Sequence, residues 1–361
     1  MKPTSLADRA AGAILGVLIG DALALGPHWY YDLDELRREY GPWITDYTDP
    51  RPGHYHAGAR AGQPSQTGLL IESLLRSVAE RGGYDEADWT GRMDRDFLPR
   101  LDGSPKSGPG GYTNQDMRDV YRRRVVEGRP WGQCASPADT TEAAVRMVVL
   151  AARYAAEPRT AATLSAAHGR LTQDDSLTLS LSVAFSCVVS ALVRGEPMDV
   201  NISHGLMRLV QRDELPFGHV TGPNLTSPAD GSAACFSVEN FPSPDGVLLP
   251  SYCAEVANDP GVRIEPASKV AVLYGLPCAI YGPLPAAYYL AARFSGEFEN
   301  PVLHALNGGG QNMSRAQLAG ALAGAQVGLS AIPARFVGGL ENGRELVALA
   351  REVASKVEMG D

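Results

Sequence analysis

Lysine is scarce in this chain: Lys2, Lys106, Lys269 and Lys356 are four of its 32 basic residues, and arginine supplies the rest. That bias is a mark of GC-rich codon usage and carries no chemistry by itself. Positive charge is short overall, with a formal net charge of −9, which argues against nucleic acid or an anionic membrane as the main partner. Cysteine is sparse and unpatterned. Cys134, Cys187, Cys235, Cys253 and Cys278 are an odd five with no CxxC or Cys/His spacing, so neither a disulfide framework nor a zinc site is written there. They read as thiols of a reducing compartment, mostly core, with Cys278 left open as a reactive one. No run reaches the roughly 18 uninterrupted apolar residues of a membrane span. "RAAGAILGVLIGDALALG" resembles a secretory leader. Asp21 abuts that run, however, and Gly12, Gly16 and Gly20 recur along it every four residues, which suits a helix of the mature fold. A cytoplasmic protein is expected.

What is present is ordinary globular material, 44% apolar and 20% charged, long enough for one large core. Apolar residues at helical spacing predict helices over 8–25, 67–81, 85–97, 114–127, 138–156, 160–169, 174–195, 200–212, 265–276, 283–293, 315–330 and 343–357. Thr67, Asp85 and Ser314 are placed to cap three of them. Loops rich in Gly and Pro lie at 48–66 and 101–112. Residues 214–262 have no helical period, so 213–263 reads as a loop-rich insertion or cover, with a short strand expected at "AACFSVE", 233–239. No heptads, repeats or low-complexity tracts occur. An all-α single domain over 1–361, with long loops and at most a few short strands, is the expectation.

Gly12, Gly16 and Gly20 have an echo in Gly320, Gly324 and Gly328. Residues four apart stack on one helix face, and a glycine inside a helix costs about 1 kcal/mol. Repeating that cost makes sense where two backbones approach closely, so two central helices are expected to pack along these faces.

Four polar clusters interrupt the helical pattern: "GDALALGPHWYYD" at 20–32, "GQPSQTGLLIESLL" at 62–75, "LTQDDSLTLS" at 171–180, and "NGGGQNMSRAQLAGALAGA" at 307–325. Three are loops entering helices, whose free N–H groups suit phosphate or carboxylate. From spacing alone the signal is weak, because every helix needs a start.

Together with "ADTTEAAVRMVVLAARY", these stretches resemble the ADP-ribosylglycohydrolase superfamily, and within it the J-type crystallin branch, over about residues 8–333. The resemblance implies a compact all-α domain whose active enzymes use two magnesium ions to cleave an ADP-ribosyl glycosidic bond. The family's metal-binding aspartates fall on Ser65, Gln311 and Met313, and its histidine–aspartate pair falls near Gln173 and Asp175. Asp21, Thr67, Ser314 and Arg315 are retained. Mg²⁺ is a hard cation that seeks oxygen ligands and carboxylate charge, and a thioether is mismatched to it. The expectation is therefore no metal and no other cofactor.

A pocket without metal remains available to a small polar ligand. Ser65, Gln66, Thr67, Asn114, Gln173, Gln311 and Asn312 would supply hydrogen bonds. Trp29 and Tyr31 would form an aromatic wall, and Asp174 and Asp175 would line the same space. Arg315 suits a carboxylate or phosphate through its planar fork, or else an interior ion pair. Asp21, His28 and Asp32 are the acid–base candidates. Each has an ordinary alternative: a helix-end bond for Asp21, a satisfied core histidine for His28, core packing for the aromatics. His54 and His56 rank lower. Three readings follow: a metal-independent enzyme cleaving an N-glycosyl or ADP-ribosyl bond or running a repurposed acid–base reaction, a silent nucleotide-binding protein, or a crystallin-like structural protein. Homo-oligomers are compatible with all three.

Overall fold

The computed structural model describes residues 4–217 and 245–357. Sixteen α-helices form among them. The first eight are α1 (Leu6–Ala24), α2 (Leu33–Tyr40), α3 (Gln66–Arg81), α4 (Glu86–Arg92), α5 (Gln115–Tyr121), α6 (Glu142–Arg153), α7 (Pro158–Arg170) and α8 (Ser176–Val193). The rest are α9 (Ile202–Gln211), α10 (Asp245–Asn258), α11 (Val270–Tyr274), α12 (Pro283–Arg293), α13 (Glu299–Leu306), α14 (Asn312–Val327), α15 (Ala334–Gly339) and α16 (Gly343–Ser355). No strand forms among the described residues. Isolated bridges link Ala57 with Ala59 and Ser136 with Gln173. The expected strand at 233–239 lies outside the described residues.

The centre is the pair α1 and α14, packed antiparallel and buried around nearly their whole circumference. Glycine makes that contact possible. A Cβ on Gly12 would collide with Gly324 O, one on Gly16 with Gly320 O, and one on Gly20 with Ala316 O. The two helices therefore touch backbone to backbone. Gly328 closes α14 at φ +81° as its C-cap. Around this pair pack α6, α8, α12, α13 and α16. α8 is long and apolar enough to cross a membrane by composition, but 89% of it is buried inside the protein, as a core helix should be.

Where the structure departs from the sequence reading, the reasons are local. α2, "LDELRREY", buries only Leu36 and is otherwise charged, so it lacks an apolar stripe. α10 forms inside the supposed loop-rich stretch 213–263, even with Pro250 within it, and packs on α8, α9 and α12. Thr67 does not cap α3. Ser65 does, accepting from Gly68 N at 3.2 Å. Ser314 lies inside α14, whose N-cap is Gln311. Asp85 caps α4 as expected, accepting from Asp88 N at 2.9 Å.

Candidate functional site

The loop before α14 turns on Gly309 (φ +65°) and Gly310 (φ +55°), where any side chain would be strained and would strike Leu33 or Leu276. It is docked on both sides: Gly310 N donates to Tyr30 O at 2.7 Å, Gln311 N to Leu276 O at 2.8 Å, and Asn312 Nδ2 to Pro27 O at 3.0 Å. The segment 27–31 thus runs alongside the start of α14. Thr141, at the start of α6, donates to Ser314 Oγ at 2.7 Å, so the N-terminal ends of α6 and α14 meet.

His28 sits in a buried chain of hydrogen bonds. Its Nε2 contacts Gln311 Oε1 at 2.6 Å, and its Nδ1 contacts His56 Nε2 at 2.6 Å. His56 Nδ1 in turn reaches Gly110 O at 2.6 Å, and His54 Nε2 reaches His28 O at 2.9 Å. Burial first, then mutual repulsion, pushes His28 well below the ordinary histidine range, and burial pushes His56 down to about 4. Both rings are therefore neutral at pH 7. Gly110 O fixes the His56 proton on Nδ1, so His28 Nδ1–H donates to His56 Nε2. His28 Nε2 then needs a donor, which the Gln311 amide provides when it turns its NH₂ end inward. Trp29 and His56 both hold φ +62°, unusual for non-glycine residues and typical of functional or tightly determined positions. Trp29 stacks on His28 with centroids 4.3 Å apart, and Tyr55 and Tyr112 meet it edge-on at 4.7 and 4.6 Å. A cavity of about 300 Å³, lined by His54, Tyr55, His56, Lys106 and Gly111, lies against this cluster.

Asp21 is fully buried at the meeting of α1, α3 and α14. Its carboxylate accepts from Ser65 N at 2.8 Å, Ser65 Oγ at 2.5 Å and Gln317 Nε2 at 2.7 Å. Burial raises it to about 6 against those lowering bonds. At α3's start, Gln66 donates to Thr113 Oγ1 (3.1 Å) and accepts from Asn114 N (3.0 Å), while Asn114 Nδ2 donates to Thr67 Oγ1 (2.8 Å).

Sequence reasoning missed a charged cluster between α5 and α6. Asp116, Glu142 and Arg146 are all buried, with Arg146 Nη1 3.8 Å from Asp116 Oδ2. Burial, then the charge of Glu142, raises Asp116 to about 7. Burial raises Glu142 as well, against a smaller opposing pull from the neighbouring Thr140 hydroxyl. Glu142 Oε2, Asp116 Oδ2 and Thr140 Oγ1 nevertheless have no hydrogen-bond partner in good geometry. The available signal was Glu142 and Arg146, four residues apart in an otherwise apolar helix.

Several expected site residues stand elsewhere. Asp32 caps α2 at the surface, accepting from Asp34 N at 2.8 Å and Glu35 N at 3.2 Å, which with the nearby Arg38 holds it below the usual carboxylate range. The structure does not bring it to Asp21 and His28. Asp174 is exposed, and Asp175 caps α8 through Thr178 N at 2.8 Å. Gln173 is occupied by backbone, accepting from Ala143 N and donating to Ala138 O and Thr140 O, so it shapes the approach to α6. Tyr31 is half exposed and Cys278 partly buried. Burial and the charges of Glu142 and Asp139 push the Cys278 thiol up, the opposite of an activated thiolate.

Two magnesium ions do not fit the residues that occupy the positions described. Ser65 Oγ is engaged with Asp21 and Gly68, Gln311 with His28, and Met313 is buried without a hard oxygen donor to offer. Among the described residues, no three His, Cys, Asp or Glu side chains assemble into a set able to hold a metal ion.

Comparison with known proteins agrees with the fold. The chain is 23% identical over 346 residues to an uncharacterised protein of Archaeoglobus fulgidus, covering 96% of each. It superposes on a solved structure described as an ADP-ribosylglycohydrolase-related protein complex with a TM-score of 0.63 and 20% identity, covering 98% of this chain and 99% of that one. The ADP-ribosylglycohydrolase family model matches residues 2–361. With the match spanning the core helices and the site loops alike, the chain belongs to the ADP-ribosylglycohydrolase family.

Proposed function

We propose that this protein works without the di-magnesium centre, as a hydrolase of N-glycosyl or ADP-ribosyl-type bonds in a small polar metabolite, or in a related acid–base reaction. The "HWYYD" stretch and the Arg315 position support placing it near the J-type crystallin branch. One observation carries the reading: the loop that the resemblance assigns to metal carries neutral hydrogen-bonding groups, while Glu142, tied to it through Thr141 and Ser314, keeps an unpartnered carboxyl oxygen in a buried setting. Burial raises the Glu142 carboxyl, which moves it toward the range of a general acid able to pass a proton to a leaving group. Departure of a glycosyl group through an oxocarbenium-like state needs that proton and a water, not a metal. Glu142 fills this role better than Asp32, which lies in solvent, or Asp21, whose oxygens are taken by Ser65 and Gln317.

The test is hydrolysis of a panel of N-ribosyl and ADP-ribosyl compounds with a chelator present. Turnover should persist in chelator, and Glu142→Gln should lower kcat roughly 10²–10⁴-fold with little change in KM. Activity that vanishes with chelator removes the metal-independent reading. No turnover of any compound, with or without Mg²⁺, favours the second reading, a silent binding or crystallin-like protein. The engagement of Asp21 and Gln173 in the fold is the observation on that side.

A further inference from the structure

Arg315 projects from the first turn of α14 and is completely buried. Its Nη2 donates to Gly309 O, but Nε and Nη1 have no acceptor, and no carboxylate pairs with it among the described residues. The ionisable group that acts on it is Tyr31, which is half exposed. Burial draws the guanidinium down to about 9, and it stays protonated at pH 7. An unpaired buried charge is among the most costly features a fold can carry, and an oxyanion would supply the pairing that the protein itself leaves out. Two more unpartnered buried atoms lie on the same pair of segments. Trp29 Nε1 is on the 27–31 stretch, and Asn312 Oδ1 is one helical turn before Arg315. Asn312 Nδ2 bonds Pro27 O, which holds these segments against each other.

We propose that Arg315 is the anchor of an oxyanion-binding subsite, taking a carboxylate or phosphate of a small ligand, with the Trp29 indole N–H as a second donor. The start of α14 adds its positive dipole end at the same place. The other buried arginine of the region makes the contrast. Arg146 has Asp116 and Glu142 beside it, whereas Arg315 faces a tyrosine and backbone. The ligand chemistry is thus an anionic oxygen cluster, a carboxylate or a phosphate.

This subsite lies beside the proposed hydrolase chemistry, since Arg315 follows Ser314, which Thr141 ties to the start of α6, and it is tested by binding alone. Inorganic phosphate, acetate and ADP-ribose are titrated at constant ionic strength, with chloride as the control, and thermal midpoint and calorimetric affinity are read. At least one oxyanion should raise the midpoint saturably where chloride does not, and phosphate against acetate tells which group the site prefers. Arg315→Met should melt at or above the wild type in chloride, having lost an unpaired charge, and bind the oxyanion roughly tenfold or more weakly. Arg315→Gln, which can still donate to Gly309 O, carries the same test if the methionine variant does not fold. An undiminished oxyanion shift in either variant overturns the proposal. So does the absence of a saturable shift from all three probes in the wild type, and neither result depends on whether any glycosidic bond is cleaved.

Discussion

At residue scale the site is governed by buried groups whose titration opposes one another. Asp21 is raised from 3.8 to about 6, so the folded state holds its proton more tightly than the unfolded one. The stability this contributes is complete below pH 3.8 and is lost as pH rises through 6, roughly 3 kcal/mol in all. His56 is lowered from 6.5 to about 4, so its contribution is complete above pH 6.5 and is lost as pH falls toward 4. Urea unfolding of wild type, Asp21→Asn and His56→Gln between pH 4 and 7 separates the two. Relative to Asp21→Asn, the wild type should lose stability as pH climbs from 4 to 6. Relative to His56→Gln, it should lose stability as pH drops from 6.5 to 4. Flat difference curves would remove both assignments. Asp21 and His28 are legible in the sequence because they stand beside glycines and aromatics. His56 carries only a weak signal there, and Asp116 and Glu142 carry almost none. What gives these three weight is a partner 26 to 28 positions away, or burial, and neither leaves a spacing.

At element scale the glycine periodicity is the clearest text in the chain. It predicts the seam of α1 and α14, and the structure adds that the seam is antiparallel, pairing Gly12 with Gly324 and Gly16 with Gly320. A methyl at Gly16 has nowhere to go, since the atoms it meets are backbone. Gly16→Ala should cost roughly 3 kcal/mol in chemical denaturation. Gly338, in α15, has open space around its would-be Cβ and no positive φ, so Gly338→Ala should instead stabilise by about 0.5–1 kcal/mol. Equal effects at the two positions would refute the close-approach account. The helices that escape the sequence reading lack such a rule. α2 has one buried side chain, α10 carries a proline in its interior, and α13 and α15, also absent from the sequence reading, are only eight and six residues long.

At the scale of the whole molecule, a chain only 20% identical to a solved relative still superposes over 98% of its length. The fold is therefore carried by helix packing that survives wide change in sequence. Placing carboxylates where the sequence resemblance puts the family's metal ligands, with Ser65→Asp, Gln311→Asp and Met313→Asp, should create a site for a hard dication. In chelator the triple variant should melt below the wild type. The carboxylate introduced in place of Ser65 would face Asp21, and the one in place of Met313 would be buried without a counter-charge. Mg²⁺ should then raise its midpoint saturably, by mass action on the folded state, and Ca²⁺ should do so less well if the site is small. The wild type should be indifferent to either ion. A saturable Mg²⁺ response in the wild type would show that Ser65, Gln311 and their neighbours still hold metal. No response in the variant would show that Arg315 and the docked loop have reshaped the site beyond recovery by carboxylates alone, and adding Arg315→Ala to the triple variant tests which of the two, the cation or the loop, is responsible.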